Sequence, residues 1–194
     1  MKRVGVLAVQ GAVSEHTAAI EAAARAKAMD IEVVAVRNPA DLDGVHGLIL
    51  PGGESTTISR LLRSTGLHDV VVARGGKDLA VFGTCAGMIL LADAARHDVD
   101  DKDIRLLGLI KGTVDRNAFG RQKDSFEAML DVADIGPMPA VFIRAPAYED
   151  VTGDVLATFD DKIVAFQAGR ILGTSFHPEL TPDTRLHERF LDLL

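Results

Sequence analysis

From residue 3 to residue 95 the chain alternates short runs of Val, Ile and Leu with segments of helical spacing, and this alternation constrains the fold more than any other feature. "RVGVLAV" (3–9), "IEVVAV" (31–36), "VHGLIL" (45–50) and "DLAVFG" (78–83) are nearly continuous apolar runs rather than polar–apolar alternations. A strand of that kind must be covered on both faces. Between them, "SEHTAAIEAAARAKA" (14–28) with Ser14 as N-cap, "ESTTISRLLRS" (54–64) and "AGMILLADAA" (86–95) predict helices. The expected class is α/β, with an open, mostly parallel, flavodoxin-like sheet and helices on both faces.

After about residue 104 the pattern changes to strand-like pieces: "RLLGLI", "GTVDR", "SFEAMLDV", "AVFIRA", "DVLATF", "KIVAFQ" and "RILGTSF". A final helix is expected in "DTRLHERFLDLL" (183–194). No linker, repeat or low-complexity stretch interrupts the chain. The second half is therefore expected to extend the same sheet with some antiparallel strands, and residues 1–194 to form a single domain.

Several function classes are excluded at this level. A formal net charge of −7 argues against a nucleic-acid partner, which needs a basic stripe to neutralise phosphates. No apolar run reaches the ~18 residues needed to cross a bilayer. The opening "MKRVGVLAVQGAV" has the look of a signal peptide, but Gln10 breaks its apolar run and an amphipathic pattern follows, so it reads as a first strand. The single cysteine, Cys85, rules out an internal disulfide and fits a reducing compartment, so the cytoplasm is the expected location. "HDVDDKD" (97–103) reads as a solvated acidic loop.

Cys85 lies in "VFGTCAGMIL" (81–90), where an apolar run meets a helical one. Gly83-Thr84-Cys85-Ala86-Gly87 has the G-x-nucleophile-x-G form of a nucleophile elbow, a strained turn that exposes its central side chain. The glycines remove Cβ atoms that would collide where strand and helix close together, and the positive end of the helix favours a thiolate. A small buried apolar residue would satisfy the same pentapeptide. A thiolate that attacks a carbonyl needs a base, and the base needs an orienting carboxylate. "SFHPEL" supplies His177 and Glu179, two residues apart at the end of an apparent strand and so directed to one side. His16, His46, His68, His97 and His187 are expected to be ordinary surface or core residues.

"LILPGGEST", "FGTCAG" and "SFHPE", in that order, resemble the class I (triad) glutamine amidotransferases. "GVLAVQGAVSEH", "LPGGESTTISRLL", "VDRNAFGRQKDSFEA" and "VFIRAP" narrow the resemblance to the PdxT/SNO family of glutaminase subunits of pyridoxal 5'-phosphate synthase, and spread it over almost the whole chain. The resemblance implies hydrolysis of L-glutamine to glutamate and ammonia, with ammonia passed to a separate synthase subunit in a hetero-oligomeric complex. It implies Cys85, His177 and Glu179 as the triad and no metal or cofactor. Gly53, Glu54, Ser55, Arg116, Ile143 and Arg144 would bind glutamine; backbone N–H groups of Gly53 and Ala86 would hold the oxyanion; Gln10 would couple the site to the synthase. Two other readings stay open at this level: a triad enzyme serving another acceptor, which "VDRNAFGRQ" and "QGAVSEH" argue against, and a flavodoxin-like redox sensor built on Cys85 alone.

Overall fold

The runs of the first half become the middle of one sheet. A computed structural model of the protein describes residues 1–96, 104–119 and 125–194. The first half contains β1 (Lys2–Leu7), α1 (Val13–Ala26), β2 (Ile31–Val36), β3 (Gly47–Leu50), α2 (Ser55–Ser64), α3 (Leu67–Arg74), β4 (Ala80–Thr84), α4 (Ala86–Leu91) and β5 (Ala92–Arg96). The second contains β6 (Ile110–Asp115), β7 (Ser125–Val132), β8 (Gly136–Ile143), β9 (Ala147–Tyr148), β10 (Asp154–Phe159), β11 (Lys162–Ala168), β12 (Ile171–Thr174) and α5 (Arg185–Leu191). Short 3-10 turns occupy Pro39–Leu42 and Pro178–Leu180.

The large sheet runs β2-β1-β3-β4-β12-β11-β9-β6-β5, with β10 on β11. The five strands from β2 to β12 are parallel to their neighbours, and β11, β9 and β10 bring in the antiparallel pairings. Neighbouring residues point to opposite faces. Leu7, Leu48 and Val81 pack with Ile58, Leu62, Leu67 and Val71 of α2 and α3, whereas Val6, Ile49 and Phe82 pack with Ile20 of α1 and Phe190 of α5. Both faces are covered, as continuous apolar strands require.

The register also sets where the chemistry sits. Leu50 of β3 pairs with Gly83 of β4, and Thr84 of β4 with Thr174 of β12, so the three strands end level with one another. The segments that leave them therefore emerge together at the carboxyl edge, where open α/β sheets place their ligands.

The sequence-based expectations fail at identifiable points. Ser14 is not the N-cap of α1; Ala12 occupies that position without a side-chain cap, and the Ser14 hydroxyl donates to Glu15. The helix expected over 86–95 ends at Leu91, because Ala92–Arg96 turn extended and pair with β6, a tertiary partner that overrides the helix preference of alanine. The "RLLGLI" strand is absent until Ile110; the N–H groups of Leu107 and Leu109 instead bond the carbonyls of Leu90 and Leu91 that end α4. "RILGTSF" is a strand only to Thr174. α3 was not expected, since its Val70-Val71-Val72 core reads as β-prone, but Gly66 at φ 80° starts a new helix there.

The second half does not extend one sheet throughout. β7 and β8 form a separate antiparallel hairpin, in register from Ser125–Ile143 to Val132–Gly136. Pro137 and Pro139 lie in β8 and have no N–H to donate, so this strand cannot sit inside a sheet. Phe126 and Phe142 stack at 4.6 Å and anchor the hairpin to the Phe159 and Phe176 rings. The acidic loop at 97–103 and His97 lie outside the described residues. Among the described residues no helix is long and apolar enough to cross a membrane.

Candidate active site

Cys85 is the single residue between β4 and α4, and it adopts φ 49° and ψ −107°, outside the regions comfortable for a side chain. Such a conformation costs on the order of 1–3 kcal/mol and persists only when the surroundings impose it. They do so through packing and one backbone bond. The Cys85 N–H donates to Thr174 O at 2.8 Å, tying the elbow to β12. A Cβ on Gly83 would lie 2.6 Å from the carbonyl oxygen of Gly87, and one on Gly87 only 1.9 Å from that of Leu50. The glycines on either side of the thiol are thus steric requirements of a strand, a turn and a helix that touch backbone to backbone.

The sulfur is not sealed. Cys85 keeps 7% of its surface and borders a cavity of ≈740 Å³, also lined by His177, Glu179, Arg116, Arg144 and the Gly52–Gly53 turn. Its thiol faces Ile143 O at 3.7 Å. Gly52 packs closely against both the thiol-bearing residue and the imidazole: a Cβ there would lie 3.3 Å from Cys85 Cβ and 2.5 Å from His177 Cε1.

His177 precedes the Pro178–Leu180 turn and is fixed by its N–H, which donates to Val141 O of β8 at 2.8 Å. The turn, rather than an extended strand, swings Glu179 behind the ring, and His177 Nδ1 lies 2.7 Å from Glu179 Oε1. Burial of the imidazole disfavours its charge, but hydrogen bonds to the Cys85 sulfur and the Glu179 carboxylate outweigh burial and push its pKa up to about 10. Burial likewise opposes the charge on Glu179, yet its bond to His177 and the nearby His16 hold its pKa below the usual carboxylate value. The arrangement is a thiol, an imidazole disposed to be cationic, and a buried carboxylate behind it.

The other expected site residues gather around the same cavity, with roles that the geometry refines. Glu54 points its carboxylate back at its own helix, accepting from Thr56 N at 3.1 Å and Thr57 N at 2.6 Å as the N-cap of α2. These bonds outweigh its slight burial and pull its pKa down to about 2. Its carboxylate is thus engaged with its own helix while the residue lines the cavity. Arg116 Nη2 donates to Ser55 Oγ at 3.1 Å, so those two are held as a unit. Arg144 takes φ 45° just after Ile143, which turns the chain at the cavity wall. Gly53 has φ 149°, open only to glycine, and Ala86 begins α4; both line the cavity. Gln10 Oε1 accepts the Glu54 N–H at 3.3 Å, and a Cβ on Gly11 would lie 2.1 Å from Gly52 O, so the 10–12 loop rests on the "PGGE" turn.

Sequence reasoning missed Gly11, Ala12, Gly52, Ile89, Asn117, Ser125 and Leu180 among the lining residues. Gly52 was legible as one of two glycines after a strand; the others carry no signal of their own. Among the described residues no group of His, Cys, Asp and Glu side chains is arranged to hold a metal ion.

The description "SNO glutamine amidotransferase family" fits residues 6–194. A pyridoxal 5'-phosphate synthase subunit PdxT from Archaeoglobus fulgidus is 48% identical over 193 residues, covering 98% of each chain. One of the same name from Haloarcula marismortui is 50% identical over 189 residues, covering 96% of this chain and 94% of the relative. Among solved structures, one titled "Crystal structure of glutamine amidotransferase" superposes with a TM-score of 0.87 at 45% identity, covering 98% of this chain and 97% of the other.

Proposed function

The chain belongs to the SNO glutamine amidotransferase family, and from that premise we propose that it releases ammonia from L-glutamine through Cys85, His177 and Glu179 for a pyridoxal 5'-phosphate synthase subunit. The observation that carries the reading is the 2.7 Å bond from His177 to Glu179 beside an elbow cysteine that opens on the cavity. The Cys85 thiol passes its proton to His177, the thiolate attacks the side-chain carboxamide carbon, and the tetrahedral intermediate collapses as His177 gives that proton to the leaving nitrogen. Ammonia departs and a thioester remains. His177, again a base, takes a proton from water, whose oxygen attacks the thioester; glutamate leaves and the thiol is restored. Glu179 holds the ring and stabilises its cationic form throughout.

The oxyanion of each intermediate is assigned to the N–H groups of Ala86 and Gly53, where one donor is worth about 2.7–4 kcal/mol of barrier. Arg116 and Arg144 suit the α-carboxylate of glutamine, since a guanidinium donates two parallel bonds. Exposed Ile143 and Leu180 flank the cavity mouth and fit a partner that covers it. Gln10, bonded to the "PGGE" turn, is the proposed coupling residue. Because Gly53 carries a conformation that glycine changes cheaply, docking of the synthase is proposed to orient the oxyanion donors, leaving the isolated subunit slow. The whole chain is read as one glutaminase domain working in the reducing cytoplasm, binding no metal and no cofactor of its own.

The test is ammonia release from glutamine in the presence of the synthase subunit. Cys85→Ala and His177→Ala should each abolish it. Activity surviving both substitutions would reject the triad, and equal turnover with and without the synthase would reject the docking step. Loss of function confined to oxidant response, with no glutaminase activity in the wild type, would favour the redox sensor.

A further inference from the structure

Glu179 spends only Oε1 on His177. Its Oε2 is buried, has no hydrogen-bond partner among the described residues, and lies 3.5 Å from His16 Nε2. A carboxylate oxygen sealed from water with no donor is costly, so what faces it matters. His16, on α1, is itself fully buried; its Nε2 also lies 3.1 Å from Thr84 Oγ1, next to Cys85, and its Nδ1 lies 3.4 Å from His187 Nε2 on α5. His187 is buried as well, and its Nδ1 meets no partner among the described residues.

That orphaned nitrogen determines the tautomers. An N–H buried without an acceptor is a worse loss than a bare lone pair, so the His187 proton belongs on Nε2. It then donates to His16 Nδ1. His16 Nδ1 is thereby an acceptor, and its proton sits on Nε2, which lies 3.1 Å from Thr84 Oγ1 and 3.5 Å from Glu179 Oε2. The two rings thus form a relay from α5 through α1 to the edge of the carboxylate. The groups facing His16 are Glu179 and His177 from the segment after β12, His187 from α5, Thr84 from β4, and Glu15 on its own helix. Burial, helped by His177, outweighs the two carboxylates and pulls the His16 pKa down to about 4; burial and His16 pull His187 down to about 3. Neither ring is charged near neutral pH.

We propose that His16, its tautomer set by His187, is a positioning residue for the glutaminase reaction: it directs a neutral Nε2–H at Glu179 Oε2 and keeps Glu179 ionised in the orientation that holds His177. The proposal rests on the triad reading above. A protonated Glu179 would lose its grip on His177 Nδ1, so removing the donor should weaken turnover first and most strongly on the acid side.

The experiment uses the complex with the synthase subunit. His16→Phe fills the site without a donor; kcat should fall about tenfold to a hundredfold, the range for losing a hydrogen bond to a charged group. The KM for glutamine should stay within about twofold, while the acid limb of the kcat profile moves up by about one pH unit. His16→Gln, whose amide can reach the Nε2 position, should restore most of the rate and the profile. Ring 15N NMR of the wild type should show His16 and His187 as neutral Nε2–H tautomers from about pH 5.5 to 8, and this readout stands even where a variant fails to fold. A cationic or Nδ1–H His16 overturns the proposal. So does wild-type kcat and pH profile in His16→Phe when Cys85→Ala is inactive, which leaves the triad standing. An active Cys85→Ala overturns the triad itself, and this proposal with it.

Discussion

Replacing Gly52 with alanine should disable the enzyme without unfolding it. The added methyl would lie 2.5 Å from His177 Cε1 and 3.3 Å from both His177 Nδ1 and Cys85 Cβ. Unbonded carbons rest at about 3.5–4.0 Å, so something must retreat by about 1 Å. Cys85 cannot, because its Cβ is tied to the strained elbow and its N–H to Thr174. The imidazole can, because it borders the cavity. Its retreat breaks the 2.7 Å bond to Glu179 or misdirects the nitrogen that faces sulfur. A misplacement of about 1 Å costs about a hundredfold in rate, or roughly 2.7 kcal/mol of barrier. Folding should lose only about 1–2 kcal/mol, a fall in Tm of about 2–8 °C. The assay is ammonia release in the complex, with calorimetry of the same protein. Gly87→Ala is the contrast: its methyl meets the Leu50 carbonyl at 1.9 Å, backbone that cannot move aside, and stable protein should not be recovered. Wild-type kcat in a folded Gly52→Ala protein would refute the reasoning, because the imidazole would then not occupy the place from which it is supposed to act.

Further outcomes follow from the same geometry. Arg116→Lys keeps the charge but loses the paired donors, and should raise the KM for glutamine about tenfold or more in steady-state assays, with a smaller effect on kcat. Glu54→Ala removes the α2 cap and should cost about 1 kcal/mol by urea unfolding. The Glu54 contribution is present above the unfolded carboxylate value of 4.5 and disappears as pH falls toward about 2, so the two proteins should converge in stability at acid pH. His16 and His187 act in the same direction for a different reason: buried neutral, they bind fewer protons folded than unfolded, so stability should fall as pH drops from 6.5 toward about 4 for His16 and about 3 for His187. Replacing His187 with Phe should flatten that part of a Tm-against-pH curve, and an unchanged slope would contradict the burial argument.

The sequence alone determined the parallel half of the sheet, the elbow at Cys85 and the pairing of His177 with Glu179, because each rests on neighbours in the chain. Continuous apolar strands and glycines at fixed offsets are local signals, as is the two-residue spacing of His177 and Glu179, although a 3-10 turn and not the expected extended segment brings that pair together. The partners that sequence left undecided lie far apart along the chain. Ala92–Arg96 became a strand because β6 offered a ladder, and β8 left the main sheet because its prolines could not donate to one on both sides. The same holds at the site. Nothing in "SEHTAA" links His16 to a carboxylate 163 positions later; only the register that ends β3, β4 and β12 level, with α1 and α5 packed on one face, brings His16, His187 and Glu179 together away from water. Local chemistry is written in spacing, whereas burial and the shifts it imposes on ionisable groups exist only once distant segments exclude solvent from one another.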